Sequence, residues 1–287
     1  MAASKRRRRG LRLAVAGALA LVAGLLVFAA VQGDDDGGGG PLNAIAAAAV
    51  RTQDEHGGRV VMHVVVSPQD RSGSFTITGR GVFNAEGRDR TVLTIPASAP
   101  NGPGELEGIT DGTVIYLRSS EFGSLPGGAK WMSIDLSLGD ELNSQLPANG
   151  DPKGELALLE AATGGVQKLG EEDVRGVPTT RYRGEVSPSE NVERLREEGA
   201  DDLASVVEKK AVPVQIEAWV DGKGLVRRMR VVQPHGPGQG GKGSTGVDMR
   251  IDFFDFGIQP AIETPPQSEV FDATGQVKEE LGISGGG

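Results

Sequence analysis

Residues 212–233 read VPVQIEAWVDGKGLVRRMRVVQ, and the fold follows from how this stretch is read. Two runs of strand-forming residues, 212–220 and 225–233, flank Asp221-Gly222-Lys223-Gly224, a composition suited to a turn. At the period of two that a strand imposes, Ile216 and Ala218 share one side of the first run. So short a connection makes the pair antiparallel, because a parallel pair needs a crossover of about a dozen residues or more.

The same pattern extends outward. Residues 246–256 (GVDMRIDFFDF) supply a third closing strand, and 166–169 and 177–186 precede the pair. Upstream, 59–66 (RVVMHVVV) is apolar at successive positions, as in a strand covered on both faces. Residues 74–83 place Phe75, Ile77 and Phe83 on one side and Thr76, Thr78 and Arg80 on the other. Strands at 91–95, 106–109 and 113–118 continue the series, with Asp111-Gly112 as a two-residue hairpin turn, and 131–136 (WMSIDL) adds a short one. About ten strands in an antiparallel meander must close or curl around something.

Three helices are expected beside the sheet. Pro41 opens the first, with Leu42, Ile45, Ala46, Ala49 and Val50 on one face and Gly57-Gly58 as its stop. Residues 153–162 form the second, through Leu156, Leu158 and Leu159. Ser187-Pro188-Ser189-Glu190 starts the third, which runs to about Lys210 with a break at Gly199. The expected class is therefore α+β, a curved antiparallel sheet with helices covering its concave face, in a domain spanning 41–267. Residues 268–287 are polar, end in three glycines and read as a flexible tail. No internal repeat is visible.

The N-terminus sets location. Lys5 and Arg6–Arg9 form a basic cytoplasmic leader within residues 1–10; residues 11–31 carry one charge, Arg12. At 1.5 Å per helical residue that run spans about 30 Å, one bilayer core. Its basic flank stays cytoplasmic, so the domain is expected outside the cytoplasm on a single-pass anchor in the cell membrane. The length favours an uncleaved anchor over a signal peptide; cleavage after Ala29 or Ala30 is the alternative and would make the protein secreted. Residues 32–40 (QGDDDGGGG) are a linker with an r.m.s. reach of about 15–18 Å.

Beyond the leader, 24 basic residues face 39 acidic ones, a net of −15, which disfavours nucleic acid as a partner. The chain has no cysteine, which excludes disulfides, thiolate zinc sites and thiol catalysis. The 236–242 stretch GPGQGGK fits part of a phosphate-binding loop, but Gly243 stands where Ser or Thr should hold Mg²⁺, strands flank it, and ATP is scarce outside the cytoplasm. The GISGG at 282–286 has no room for the helix that a nucleophile elbow requires. His56, His63 and His235 show no ligand spacing, and Glu171-Glu172-Asp173, Asp201-Asp202 and Asp252 with Asp255 read as solvated surface. No catalytic residue, metal or cofactor is expected.

What remains is apolar surface arranged for containment. Val60, Met62 and Val64 share a side of their strand, as do Phe75 and Ile77, Leu93 and Ile95, Ile216 and Ala218, and Met249, Ile251 and Phe253. Each is an ordinary core residue taken singly. Together, under a curled sheet with few helices and 4% aromatic residues, they are candidates to line a lipid cavity.

Several phrases resemble a known family: DGTVIYLRS (111–119), DPKGELALLEAATGGVQKLGEEDVRGVPTTRYRGEVS (151–187), VPVQIEAWVDGKGLVRRMRV (212–231) and GVDMRIDFFDFGIQPAIETPP (246–266). Their order resembles the mycobacterial LppX/LprG-type lipoproteins and, more distantly, the periplasmic carriers of the Lol system. The resemblance implies a strongly curved half-barrel that holds acyl chains of lipids or lipoproteins in a hydrophobic cavity, without enzymatic activity. The lipid-bearing cysteine of that family is missing here. The expected function is a membrane-anchored carrier of lipid or acylated ligands. The alternative is an extracytoplasmic sensor or scaffold that binds another envelope protein. An exported hydrolase built on Asp252, Asp255 and His63 is the third reading.

Overall fold

A computed structural model describes residues 48, 51–52, 55, 57–68, 73–100, 102–135, 166–186, 196, 214–234 and 245–281. The alternating segments form β1 (Gly57–Pro68), β2 (Phe75–Asn84), β3 (Arg88–Ile95), β4 (Gly104–Asp111), β5 (Val114–Ser119), β6 (Trp131–Asp135), β7 (Gln167–Val174), β8 (Val177–Val186), β9 (Val214–Asp221), β10 (Val226–Gln233), β11 (Thr245–Phe254) and β12 (Val270–Asp272). All twelve belong to one sheet, in the order β12-β6-β5-β4-β3-β2-β1-β11-β10-β9-β8-β7. Every pairing is antiparallel except β12 on β6, so the sheet is mixed.

The α+β expectation is corrected by this architecture. Among the described residues the protein is mostly one large sheet with little helix, of which α1 (Thr274–Leu281) is the longest run, and three short 3₁₀ turns, not a sheet whose concave face is covered by helices. The segments read as helices lie outside the described residues except for Ala48, Arg51, Thr52 and Arg196, which are helical. Leu11–Val31 also lies outside them, and no described helix is long and apolar enough to cross a membrane. Twelve strands replace ten partly because the residues read as a tail join the sheet. Val270 and Phe271 lie against Trp131 and Met132, the Ala273 amide donates to Ser133 O, and Asp135 N donates to Thr274 Oγ1 at 2.9 Å. Polar composition hid that strand, since its stabilising partner β6 lies far back in the chain.

Turns follow their chemistry with one shift. Asp221 Oδ1 accepts from the amides of Lys223 and Leu225, and Gly224 takes a positive φ of 80° in the expected β9–β10 turn. In the β4–β5 hairpin Asp111 pairs with Val114, so the two loop residues are Gly112-Thr113 rather than Asp111-Gly112.

The sheet has two unlike faces. On the apolar one, Val60, Met62 and Val64 of β1 oppose Phe253, Ile251 and Met249 of β11. On the other, Val61, His63 and Val65 stand beside Asp252, Arg250 and Asp248. β1 is thus not buried on both sides, and residues 60–68 are half-buried. The charged face is organised around buried carboxylates. Fully buried Glu217 on β9 accepts from Arg181 Nη2 at 2.9 and 3.0 Å and from Arg183 Nε at 2.8 Å. Glu107 on β4 accepts from Arg90 Nε at 2.8 Å and Arg118 Nε at 2.9 Å. Arg228 grips Asp252 through two bonds, and Arg230 grips Asp248. The Arg118 guanidinium lies 4.7 Å from the Trp131 ring centre, and that of Arg181 4.9 Å from Trp219. Burial pushes the Glu217 carboxyl up, yet the hydrogen bonds and charges of Arg183 and Arg181 outweigh it and hold the group below the usual range.

After β11 the chain crosses the charged face as a strap, residues 255–266, to reach β12. Gly257 N donates to Gly57 O, and Ile262 packs on Ile109, Tyr116 and Trp131. Gly57 adopts φ 140°, and a Cβ there would lie 2.3 Å from Ile258 O, so only glycine admits the strap at this crossing.

Replacing Ile262 by Ala is expected to cost about 2–5 kcal/mol through the cavity it leaves. Glu217→Gln is expected to cost on the order of 2 kcal/mol, since it frees two arginines that are themselves part-exposed. Urea unfolding of both variants checks these values.

Candidate functional site

The sequence candidates lie on the apolar face. Directly opposed residues in a ladder share a face, and the registers place all twelve sequence candidates on the same one. Val64 opposes Ile77, Val66 opposes Phe75, and Leu93 opposes Gly79. Ile216 and Ala218 oppose Val231 and Met229, which in turn oppose Met249 and Ile251.

Packing divides them. One cluster, towards β6, gathers Leu93, Leu106, Ile115, Leu117, Met132 and Ile134, with Met62 and Ile77 against it. Ala273 and Val277 from the C-terminal segment belong to this cluster, as does Leu125 from the β5–β6 connection. The second, towards β9, holds Met249, Ile251, Phe253, Met229 and Val231, with Val60, Met62, Val64 and Ile216 packed on it. Met62 touches both. Ala218 sits in a small separate cluster with Val166 and Tyr182. Phe75 and Ile95 are half-buried and belong to none of these groups. Across the middle of the face, Val60, Met62, Val64 and Ile77 retain part of their exposure.

Glycines shape that middle. A Cβ on Gly79 would lie 2.6 Å from Leu93 Cδ2 and 3.2 Å from Met62 Cβ, so its absence lets both side chains settle onto β2. Gly81 gives the same room to Thr91 and Val60.

The remaining sequence candidates fall on the opposite face or outside it. Asp252 is buried and held by Arg228, not solvated as its sequence context implied. Asp255 is exposed, 3.5 Å from Arg59. His63 stands between Thr78 and Arg250 in register. Glu172 accepts from Trp219 Nε1, and Asp201, Asp202, His56 and His235 lie outside the described residues. The buried charge of Asp252 is satisfied within the fold, which is the geometry of a structural ion pair.

One residue on the apolar face escaped the sequence reading. Asp89 opposes Phe83 on β2 and Thr110 on β4, and both partners belong to the apolar side. Burial pushes its carboxyl up to about 6, while a hydrogen bond from Thr110 pulls the other way. The signal was present in the alternation Asp89, Thr91, Leu93, Ile95. It was missed because the strand was started at Thr91 and because Arg88 and Arg90 made the position look like surface.

No family model matches the chain. An uncharacterised 31.2 kDa protein of Streptomyces griseus, from the rplA–rplJ intergenic region, is 31% identical over 146 residues. The match covers 49% of this chain and 45% of that protein, so the chain spans under half the length of this curated relative. Among solved structures, the lipoprotein LppX of Mycobacterium tuberculosis is similar with a TM-score of 0.47 and 14% identity, over 77% of this chain and 97% of that one. LprF of Mycobacterium bovis gives a TM-score of 0.39 and 14% identity, over 78% and 96%. LppX is one of the proteins that the sequence phrases resemble.

The Asp89 carboxyl sets a pH dependence of sign opposite to that of the salt-bridged acids. Its folded pKa of about 6 lies above the ordinary 3.8, so the native state binds the extra proton and stability rises as pH falls from about 6 towards 4. Glu217, Asp221 and Asp252 are held below their usual values, so their contribution is lost at still lower pH. Thermal melts from pH 3 to pH 8 should show a maximum between these limits. In Asp89→Asn the rise between pH 7 and pH 5 should shrink, with a higher Tm at pH 7 than the unsubstituted protein.

Proposed function

We propose that this protein is an extracytoplasmic lipid-binding carrier, tethered to the cell membrane by residues 11–31, that shelters acyl chains on the apolar face of its sheet and performs no catalysis. The observation that supports it most is the continuity of that face, from Met132 and Ile134 on β6 to Ile216 and Ala218 on β9, with half-buried side chains across its centre.

Energetics make such a surface relevant. Moving an acyl chain out of a bilayer forfeits about 0.8 kcal/mol per CH₂, or roughly 12 kcal/mol for sixteen carbons, so a carrier must return most of it through apolar contact. A sheet face with Met62 at its centre suits that task, because the unbranched thioether adapts to irregular hydrocarbon. The linker then allows the domain to work within roughly 15–18 Å of its anchor, taking up or presenting lipid at its own membrane surface.

Native mass spectrometry of the full chain, extracted from its own membrane in mild detergent, is expected to find co-purifying lipid. Met62→Asp, which sets a charge in the middle of the face, should remove it while the far-ultraviolet circular dichroism stays that of a β protein. A preparation free of lipid at several loadings would overturn the reading.

A further inference from the structure

The described strand residues that the registers place on the apolar face between β6 and β8 include one charged side chain, Asp89. It stands at one end of the face, next to the β2–β3 turn. From there the inward residues of β3 run Asp89, Thr91, Leu93, Ile95, passing from polar to apolar over about 20 Å of strand.

The surroundings of Asp89 are unusual for a carboxylate. Its neighbours Arg88 and Arg90 project to the opposite face, where they bind Asp111 and Glu107. Its cross-strand partners are Phe83 and Thr110, and Thr110 is its hydrogen-bond partner. Among the described strand residues from β6 to β8 no cation stands on its side; Lys168, which shares the face, lies at the far edge on β7. Thr91, the next polar group inward, lies between Gly81 and Gly108, so no cross-strand side chain stands beside it. An acid without a counter-ion on an apolar surface is costly. By contrast, the buried carboxylates Glu217, Glu107 and Asp252 have been given arginines, while half-buried Asp89 meets none among the described residues.

We propose that Asp89, with Thr91 and Thr110, forms the head-group subsite of the lipid site and selects acyl ligands whose head donates hydrogen bonds, an ammonium or a hydroxyl, over those ending in phosphate or carboxylate. This rests on the lipid-binding reading above. An ammonium supplies the charge that the described strands do not offer Asp89, and a hydroxyl donates one bond to the carboxylate. An anionic head meets like charge, with no arginine among the described residues beside it to offset it.

The test loads the full chain, in mild non-ionic detergent, with an equimolar mixture of hexadecylamine, hexadecanol and palmitate, and reads the bound species by native mass spectrometry at pH 7.5. The unsubstituted protein is expected to retain hexadecylamine over palmitate by about tenfold, the value of one charge-assisted hydrogen bond. Asp89→Asn should abolish that preference while still binding palmitate, and Thr110→Val should weaken it. Glu105→Gln, the same charge change at an exposed position of β4, should leave it intact. Amphiphile binding with equal ratios in Asp89→Asn and the unsubstituted protein would overturn the head-group assignment alone. Failure to retain any of the three would overturn the lipid reading and this assignment with it.

Discussion

Ten residue pairs between β1 and β11, from Arg59–Phe254 to Pro68–Thr245, hold this molecule together. One meander runs from β1 to β6 and another from β7 to β11, and this ladder alone fuses them into a single sheet. Its two strands lie far apart in the chain, so their pairing bears the largest loop-closure cost in the fold. The strap of residues 255–266 secures the same junction from outside. Leaving β11, it passes Gly57 and covers Ile109, Tyr116 and Trp131 through Ile262 before β12 docks on β6.

The seam also determines what each face is for. With Val60 opposite Phe253, the apolar side chains of both meanders fall on one side, and a slip of one residue would bury Arg250 and Asp252 among them. The other side combines a small apolar cluster under the strap, Ile109, Tyr116, Trp131 and Ile262, with buried ion pairs. Carboxylates taken out of water are each met by arginines from adjacent strands, and those arginines stack on Trp131 and Trp219. Such pairs offset their own desolvation more than they add net stability. They let much of one face be covered by charge, while the apolar side chains of the strands gather on the opposite face.

Much of this was legible locally. The strand sites, the Asp221–Gly224 turn and the membership of all twelve candidates in one alternating set are consequences of period-two patterning, and register then placed them together. Val270 and Phe271 were not legible as a strand, because three residues in a polar stretch carry no periodic signal until β6 lies beside them. Asp252 read as surface for the same reason: its partner Arg228 sits across a ladder. Asp89 was the costliest omission, since flanking arginines are solvent signals in a sequence and proved to point away from it.

Sequence alone determined what each segment is, through composition and alternation, because a strand's two sides and a glycine's backbone freedom are properties of a few neighbouring residues. It also determined the extracytoplasmic expectation, since charge and apolar length act on a bilayer without any fold. Only the tertiary structure decided that the sheet is mixed rather than antiparallel and that the C-terminal residues belong to it. It alone decided that arginines neutralise Glu217 and Glu107 while none among the described residues does so for Asp89. Those outcomes depend on which strands become neighbours, a global compromise among burial, register and loop closure that no local window contains.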